Sequence, residues 1–401
     1  MQALINKETL LSICKIKEVT ASYISSKCNL SIEKTVRWIN PQDTLLPSFN
    51  QAKAVSKCLH VPFAGLYMNS SDLPLEQIRK YKIKNFRTFQ DSKETDDSAI
   101  NIAIGDLLQA RTFLIESKSN IGEEISNFSI DFSPSHNSPV AWATEIHKIF
   151  KIDLQEQFAA TSTRKFYLYV RAALESAGIF VHCFTDVDVE IARGISIYDD
   201  SMPVIGINNN DRYPAKTFSM IHELVHILKR ESTMCNEMLT ESSYDEEIFC
   251  NAVAGELLVP AEALTVVLQN RNFSHEYTID DISEIAATFS VSKEVITRRL
   301  FDCGKIEKYA YDAYVNEINR LFCLEQQQQR EASRIARAEG RQVGFPKRQE
   351  QVAIDKTSSV LCRTLYSGYC EEYFSKQDVA RYLGMNQKHV DKFLKEVSSW
   401  R

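Results

Sequence analysis

Phe218-Ser219-Met220-Ile221-His222-Glu223-Leu224-Val225-His226-Ile227-Leu228 is an apolar run without Gly or Pro. Its composition predicts a helix. Residues four apart share a helical face, so the two imidazoles point the same way. Two neutral imidazoles at that spacing can hold one Zn²⁺, and the glutamate between them then stands beside a metal-bound water. The alternative is a helix with two half-buried histidines beside an exposed acid.

A third ligand separates these readings, because a catalytic zinc takes three protein ligands and keeps one position for water. Asp245-Glu246-Glu247-Ile248-Phe249-Cys250-Asn251-Ala252-Val253-Ala254-Gly255-Glu256-Leu257-Leu258-Val259-Pro260 predicts a second helix ended by its proline. Ile248, Val253 and Leu257, with Ala252 and Ala254, are its expected apolar face. Glu247 can supply a carboxylate oxygen. Asn251 lies one turn on and can orient a ligand histidine from behind. Glu246 is the adjacent rival for third ligand. Both acids would also suit the first turn of a helix with no metal nearby.

Ahead of the first helix, residues 178–184, 194–198 and 203–208 read as strands. Asp199-Asp200-Ser201-Met202 joins the last two in a hairpin. The last strand is expected to offer an edge to an extended peptide, unless another segment covers it. Tyr213 and Lys216 are the nearest candidates for an oxyanion donor, with neither placed. The expected fold class is α+β, mostly α: a small sheet and a zincin-type metal helix, flanked by helical regions that resemble helix-turn-helix domains.

The chain has 401 residues, enough for several domains, and its 44% hydrophobic and 25% charged content are ordinary for a globular protein. No stretch reaches the roughly 20 apolar residues of a membrane span. No signal peptide is visible at Met1. The expectation is a cytoplasmic protein with no membrane partner. Ten scattered cysteines form no CxxC pair and read as small buried hydrophobes. A net charge of −6 leaves any nucleic-acid contact to a local patch.

Residues 1–75 are expected to form a helix-turn-helix unit. Within Thr20–Asn40, Tyr23 and Ile24 point inward, Asn29 takes the turn and Ser31 caps the next helix. Lys34 and Arg37 on that second helix are the candidate DNA contacts. Residues 76–164 read as a helical connection, with a charged loop at 91–97, a helix at 100–115 and His147 at the surface. Residues 165–308 are the catalytic unit, closed by a helical pair at 278–300. Residues 309–401 begin with a long polar helix over about 309–338. Arg330, Arg334, Arg337 and Arg341 stripe its face, and Gly340 and Gly344 break it. A second helix-turn-helix pattern at 374–394 has Gly384 at the turn and Asn386 as cap, for DNA docking or for packing.

The two quoted helical segments together, preceded by Gly194 to Asn208, resemble the ImmA/IrrE family of metallopeptidases, whose members often carry an N-terminal XRE-type helix-turn-helix. The strong resemblance covers residues 165–300. It implies His222, His226 and Glu247 as Zn²⁺ ligands and Glu223 as general base. Members typically have glycine where Val225 stands, a position that leaves the ligands intact. The resemblance further implies a regulatory zinc endopeptidase. Its protein substrate would be a repressor or other DNA-binding regulator, in a mobile-element, stress-response or toxin–antitoxin setting. DNA and a cognate toxin are further partners. The alternative is a DNA-binding regulator or antitoxin whose peptidase domain is silent.

Overall fold

Alternation along three short strands gives the sheet two apolar faces. The computed structural model describes residues 1–72, 97–124, 127–230, 241–271, 277–339 and 348–400. The strands are β1 (Phe180–Phe184), β2 (Gly194–Ile197) and β3 (Val204–Asn208). Their order is β1-β3-β2, with β3 parallel to β1 and antiparallel to β2. This corrects one expectation. β3, the strand before the metal helix, is central and has no free edge; β1 and β2 are the outer strands. Strand positions can be read from local alternation, but their order depends on pairing between distant segments.

Eighteen α-helices complete the described fold, which is α+β and mostly helical. Four precede residue 60: α1 (Lys7–Ile16), α2 (Ala21–Cys28), α3 (Ile32–Ile39) and α4 (Phe49–Cys58). The next group is α5 (Ser98–Asn120), α6 (Pro139–Phe150), α7 (Leu154–Ala159) and α8 (Thr163–Ser176). After the sheet come α9 (Tyr213–Leu228), α10 (Glu241–Leu258), α11 (Ala261–Arg271), α12 (Ile279–Thr288) and α13 (Lys293–Asp302). The last are α14 (Lys308–Ala338), α15 (Gln349–Lys356), α16 (Ser359–Cys370), α17 (Lys376–Leu383) and α18 (Val390–Ser398).

Val181, Cys183, Ile205 and Ile207 face a core built with α6, α8, α9, α10, α12 and α13. Phe180, Phe184, Ile195, Ile197 and Val204 face a second core, shared with α5 and residues 353–397. Residues 353–397 therefore share a core with the sheet that precedes α9. Polar groups reinforce this junction. Asp355 receives the Arg164 guanidinium and the Tyr213 hydroxyl, and the Arg171 guanidinium donates to the Ile354 and Asp355 carbonyls.

Residues 3–66 close a third core around Leu10, Ile13, Ile24, Trp38 and Val55, joined by Ile102 of α5. Ile24 is buried and Tyr23 partly so, as expected. Asn29 takes the left-handed conformation with φ 53°. Ser31 stands at the N-cap of α3, but its side chain makes no cap bond, which corrects that expectation. Its carbonyl instead accepts the Thr35 hydroxyl, 3.0 Å away. Lys7, missed in the sequence, donates to the Arg37, Asn40 and Asp43 carbonyls and so satisfies the end of α3. The expected loop residues 91–96, and Gly340, Arg341 and Gly344, lie outside the described residues. Among the described residues no single helix is long and apolar enough to cross a membrane.

Candidate metal centre

Helix α9 carries Pro214 in its first turn, where a residue without an N–H leaves no donor unpaired. It packs on β2, β3, α8 and α10, and Leu224, Val225 and Ile227 are fully buried. Nearly every face is therefore covered, and His222 and His226 emerge on the side toward α10. His226 is 1% exposed by side chain and His222 13%.

The end of α10 is held by buried polar bonds. Gln157 donates to the Leu258 and Phe289 carbonyls. The Arg299 guanidinium pairs with Glu256 and donates to the Val259 carbonyl. One expectation about this helix fails. Ile248 is 41% exposed, and fully buried Cys250 takes its place on the packed face with Val253, Ala254 and Leu257. The packed face is set by where α6 and α9 lie, which periodicity in a nearly all-apolar segment does not fix.

This packing brings Glu247 to the two imidazoles. Its carboxylate oxygens lie 3.2 Å from His222 Nε2 and 3.1 Å from His226 Nε2. The two Nε2 atoms are 3.2 Å apart. His222 Nδ1 is 3.1 Å from Asn251 Oδ1, so an Nδ1–H donates there and Nε2 keeps its lone pair. His226 Nδ1 faces the Cys250 sulfur at 3.9 Å, a contact the sequence reading missed. Both rings thus present Nε2 to one point. Burial would raise the Glu247 carboxyl, but the two imidazoles beside it outweigh this and bring it down to about 2.

The arrangement fits a metal ion. Bonds of about 2.0–2.1 Å at tetrahedral angles put ligand atoms roughly 3.3 Å apart, close to all three separations here. These are the only three such groups among the described residues whose ligand atoms lie within 4.8 Å of one another. Glu247 Oε1 is buried without a hydrogen-bond partner, as expected of an oxygen facing a cation. Two imidazoles and a carboxylate are also a donor set that suits zinc.

The other candidates fall elsewhere. The Tyr213 hydroxyl is engaged by Asp355, and Lys216 donates to Asn209 Oδ1 at 3.0 Å. His147 is not a surface histidine. Its Nε2 is 3.0 Å from the Leu257 carbonyl and its Nδ1 meets that of Ile152, so it ties α6 to the end of α10. Lys34 is exposed on α3. Arg37 is also exposed, but its guanidinium binds Asp43 at 2.8 and 3.3 Å.

The model of the Peptidase_M78 family, described as the IrrE N-terminal-like domain, matches residues 175–301. Residues 175–301 are similar to a metallopeptidase of the IrrE type. The match runs from the end of α8 into α13 and holds the sheet, both helices of the metal centre and the helical pair behind them. It covers about a third of the chain. No curated protein matches the chain.

Proposed function

We propose that this chain is a zinc-dependent endopeptidase with His222, His226 and Glu247 as metal ligands and Glu223 as general base. The convergence of the two Nε2 atoms and the Glu247 carboxylate carries this reading. A bound Zn²⁺ supplies a Lewis acid for the scissile carbonyl and lowers the pKa of a coordinated water. With the metal bound, Glu223 would take a proton from the attacking water and deliver it to the leaving amine. Asn251 holds the His222 ring in the tautomer that leaves Nε2 free. Glu247, held ionised, needs no deprotonation to bind a cation.

The substrate in this reading is a protein, specifically a repressor or other DNA-binding regulator. The helix pair α2–α3, with its left-handed Asn29 turn and exposed Lys34, supports a unit at residues 1–75 that approaches DNA or a DNA-bound target. The Arg37–Asp43 pair weakens the case for Arg37 as a free phosphate contact, leaving Lys34 the better candidate.

Metal analysis tests the site. Purified protein is expected to hold one equivalent of zinc, His226→Ala to lose most of it, and Glu223→Gln to keep it while losing cleavage. Full zinc in His226→Ala, or parent-rate cleavage by Glu223→Gln, would refute the assignment.

A further inference from the structure

Gly194 opens β2, an outer strand of the sheet. Its φ is not positive, so the backbone there does not require glycine. What requires it is space. A Cβ at this position would stand 2.5 Å from Glu223 Oε1, 2.7 Å from Cγ and 3.0 Å from Cδ. Carbon atoms in contact normally keep about 3.5–4.0 Å. The Glu223 side chain therefore lies against bare β2 backbone, in room that only glycine leaves.

The strand is not free to yield that room. Gly194 pairs in register with Ile207. The Asn208 N–H donates to the Arg193 carbonyl at 2.9 Å. The fully buried Asn208 side chain donates to the Ala192 carbonyl at 2.8 Å and the Val187 carbonyl at 3.0 Å. Asn208 thus fixes both ends of the segment that delivers Gly194 to α9. On the other side, Glu223 is only 6% exposed on a helix packed nearly all round. The mobile partner in any clash is the end of the Glu223 side chain.

We propose that Gly194 is a positioning residue for the Glu223 carboxylate: its missing side chain sets where the base stands beside the His222, His226 and Glu247 trio. This rests on the reading of Glu223 as the general base. A methyl group at 194 should leave fold and metal binding intact and shift the carboxylate. A misplacement of about 1 Å can cost on the order of a hundredfold in rate.

The test needs no knowledge of the natural substrate. Acetohydroxamate chelates zinc, and its hydroxyl donates a hydrogen bond to a carboxylate beside the metal. Its affinity for the zinc-loaded protein is measured by calorimetry, with zinc content and melting temperature for each variant. Gly194→Ala is expected to keep one zinc and the parent melting behaviour, and to bind the probe at least about tenfold more weakly, the scale of one charge-assisted hydrogen bond. Glu223→Ala calibrates the full loss. In the Glu223→Asp background, whose shorter side chain withdraws from the strand, adding Gly194→Ala should change affinity by less than about threefold. Parent-like affinity in Gly194→Ala, with Glu223→Ala impaired, overturns the positioning role. So does loss of zinc in Gly194→Ala, which would make the glycine a support of the metal helix. Undiminished affinity in Glu223→Ala instead refutes Glu223 as the base, and with it the reading beneath.

Discussion

Helices α2–α3 and α17–α18 are built alike and packed differently. Each pair turns on a left-handed residue, Asn29 with φ 53° and Gly384 with φ 62°. Each opens on a hydroxyl cap, Thr20 accepting from the Tyr23 N–H and Ser375 from the Asp378 N–H. The first pair closes on its own neighbourhood: Ile24 and Trp38 meet Leu10, Ile13, Val55 and Leu59. The second is part of the sheet's cover, with Val379, Leu383, Val390, Phe393 and Val397 in one core with Phe180, Ile195 and Val204. Caps and periodicity specify a helix pair; they do not specify what lies against its apolar face.

The largest expected effect follows from that difference. Deleting residues 349–400 uncovers one face of the sheet, including Phe180, Phe184, Ile195, Ile197 and Val204. Each such side chain is worth roughly 1.5–3 kcal/mol when buried, so the sum is comparable with the whole stability of a domain, about 5–15 kcal/mol. The truncated protein should show no cooperative melt and hold no stoichiometric zinc. Deleting residues 1–72 should preserve both. Among the described residues that junction consists of Ile102 and a few polar contacts, including His60 with Asp106 and Lys27 with Asp186. Circular dichroism melts and zinc content of the two truncations decide it, and matched behaviour would erase the distinction.

The same contrast explains how much could be read in advance. The three strands fall within two residues of their expected positions, because alternation and turn residues are local. The i,i+4 spacing puts His222 and His226 on one face of α9 and Glu247 and Asn251 on one face of α10, and the packing of the two helices brings the four together. The sequence did not reveal relations between distant segments. These are the central place of β3, the burial of Cys250 against His226 in place of Ile248, and the approach of Gly194 to Glu223. Gly194 carried a faint signal, as a glycine opening a strand can mark a close approach. Nothing in its neighbours named the side chain it accommodates.

Acid should act on the C-terminal cover through His182. This residue stacks beside Phe180 and accepts the Ser358 N–H at 3.3 Å, at the start of α16. Burial, then the charges of Lys356 and Arg171, push its pKa from 6.5 down to about 3. The folded protein keeps this ring neutral where the unfolded chain would protonate it. Stability is therefore complete above about 6.5 and declines as pH falls toward 3, by at most about 1.4 kcal/mol per pH unit for one group. Urea midpoints across that range should fall less steeply in His182→Gln than in the parent. Parallel slopes would remove His182 as the cause.

The smallest effects belong to the two turns, where the pairs are alike. A Cβ at Gly384 would meet nothing within 4 Å, so Gly384→Ala costs only the left-handed backbone, about 1 kcal/mol. Asn29 already bears a side chain in that conformation, which asparagine tolerates by local hydrogen bonding. Asn29→Gly should therefore shift stability by no more than a few tenths of a kcal/mol, as relaxed backbone strain offsets the greater freedom of the unfolded chain. Chemical denaturation of both single variants measures this. A loss well beyond about 1 kcal/mol for Gly384→Ala would mean that the turn itself, and not the apolar face of α18, holds the cover on the sheet.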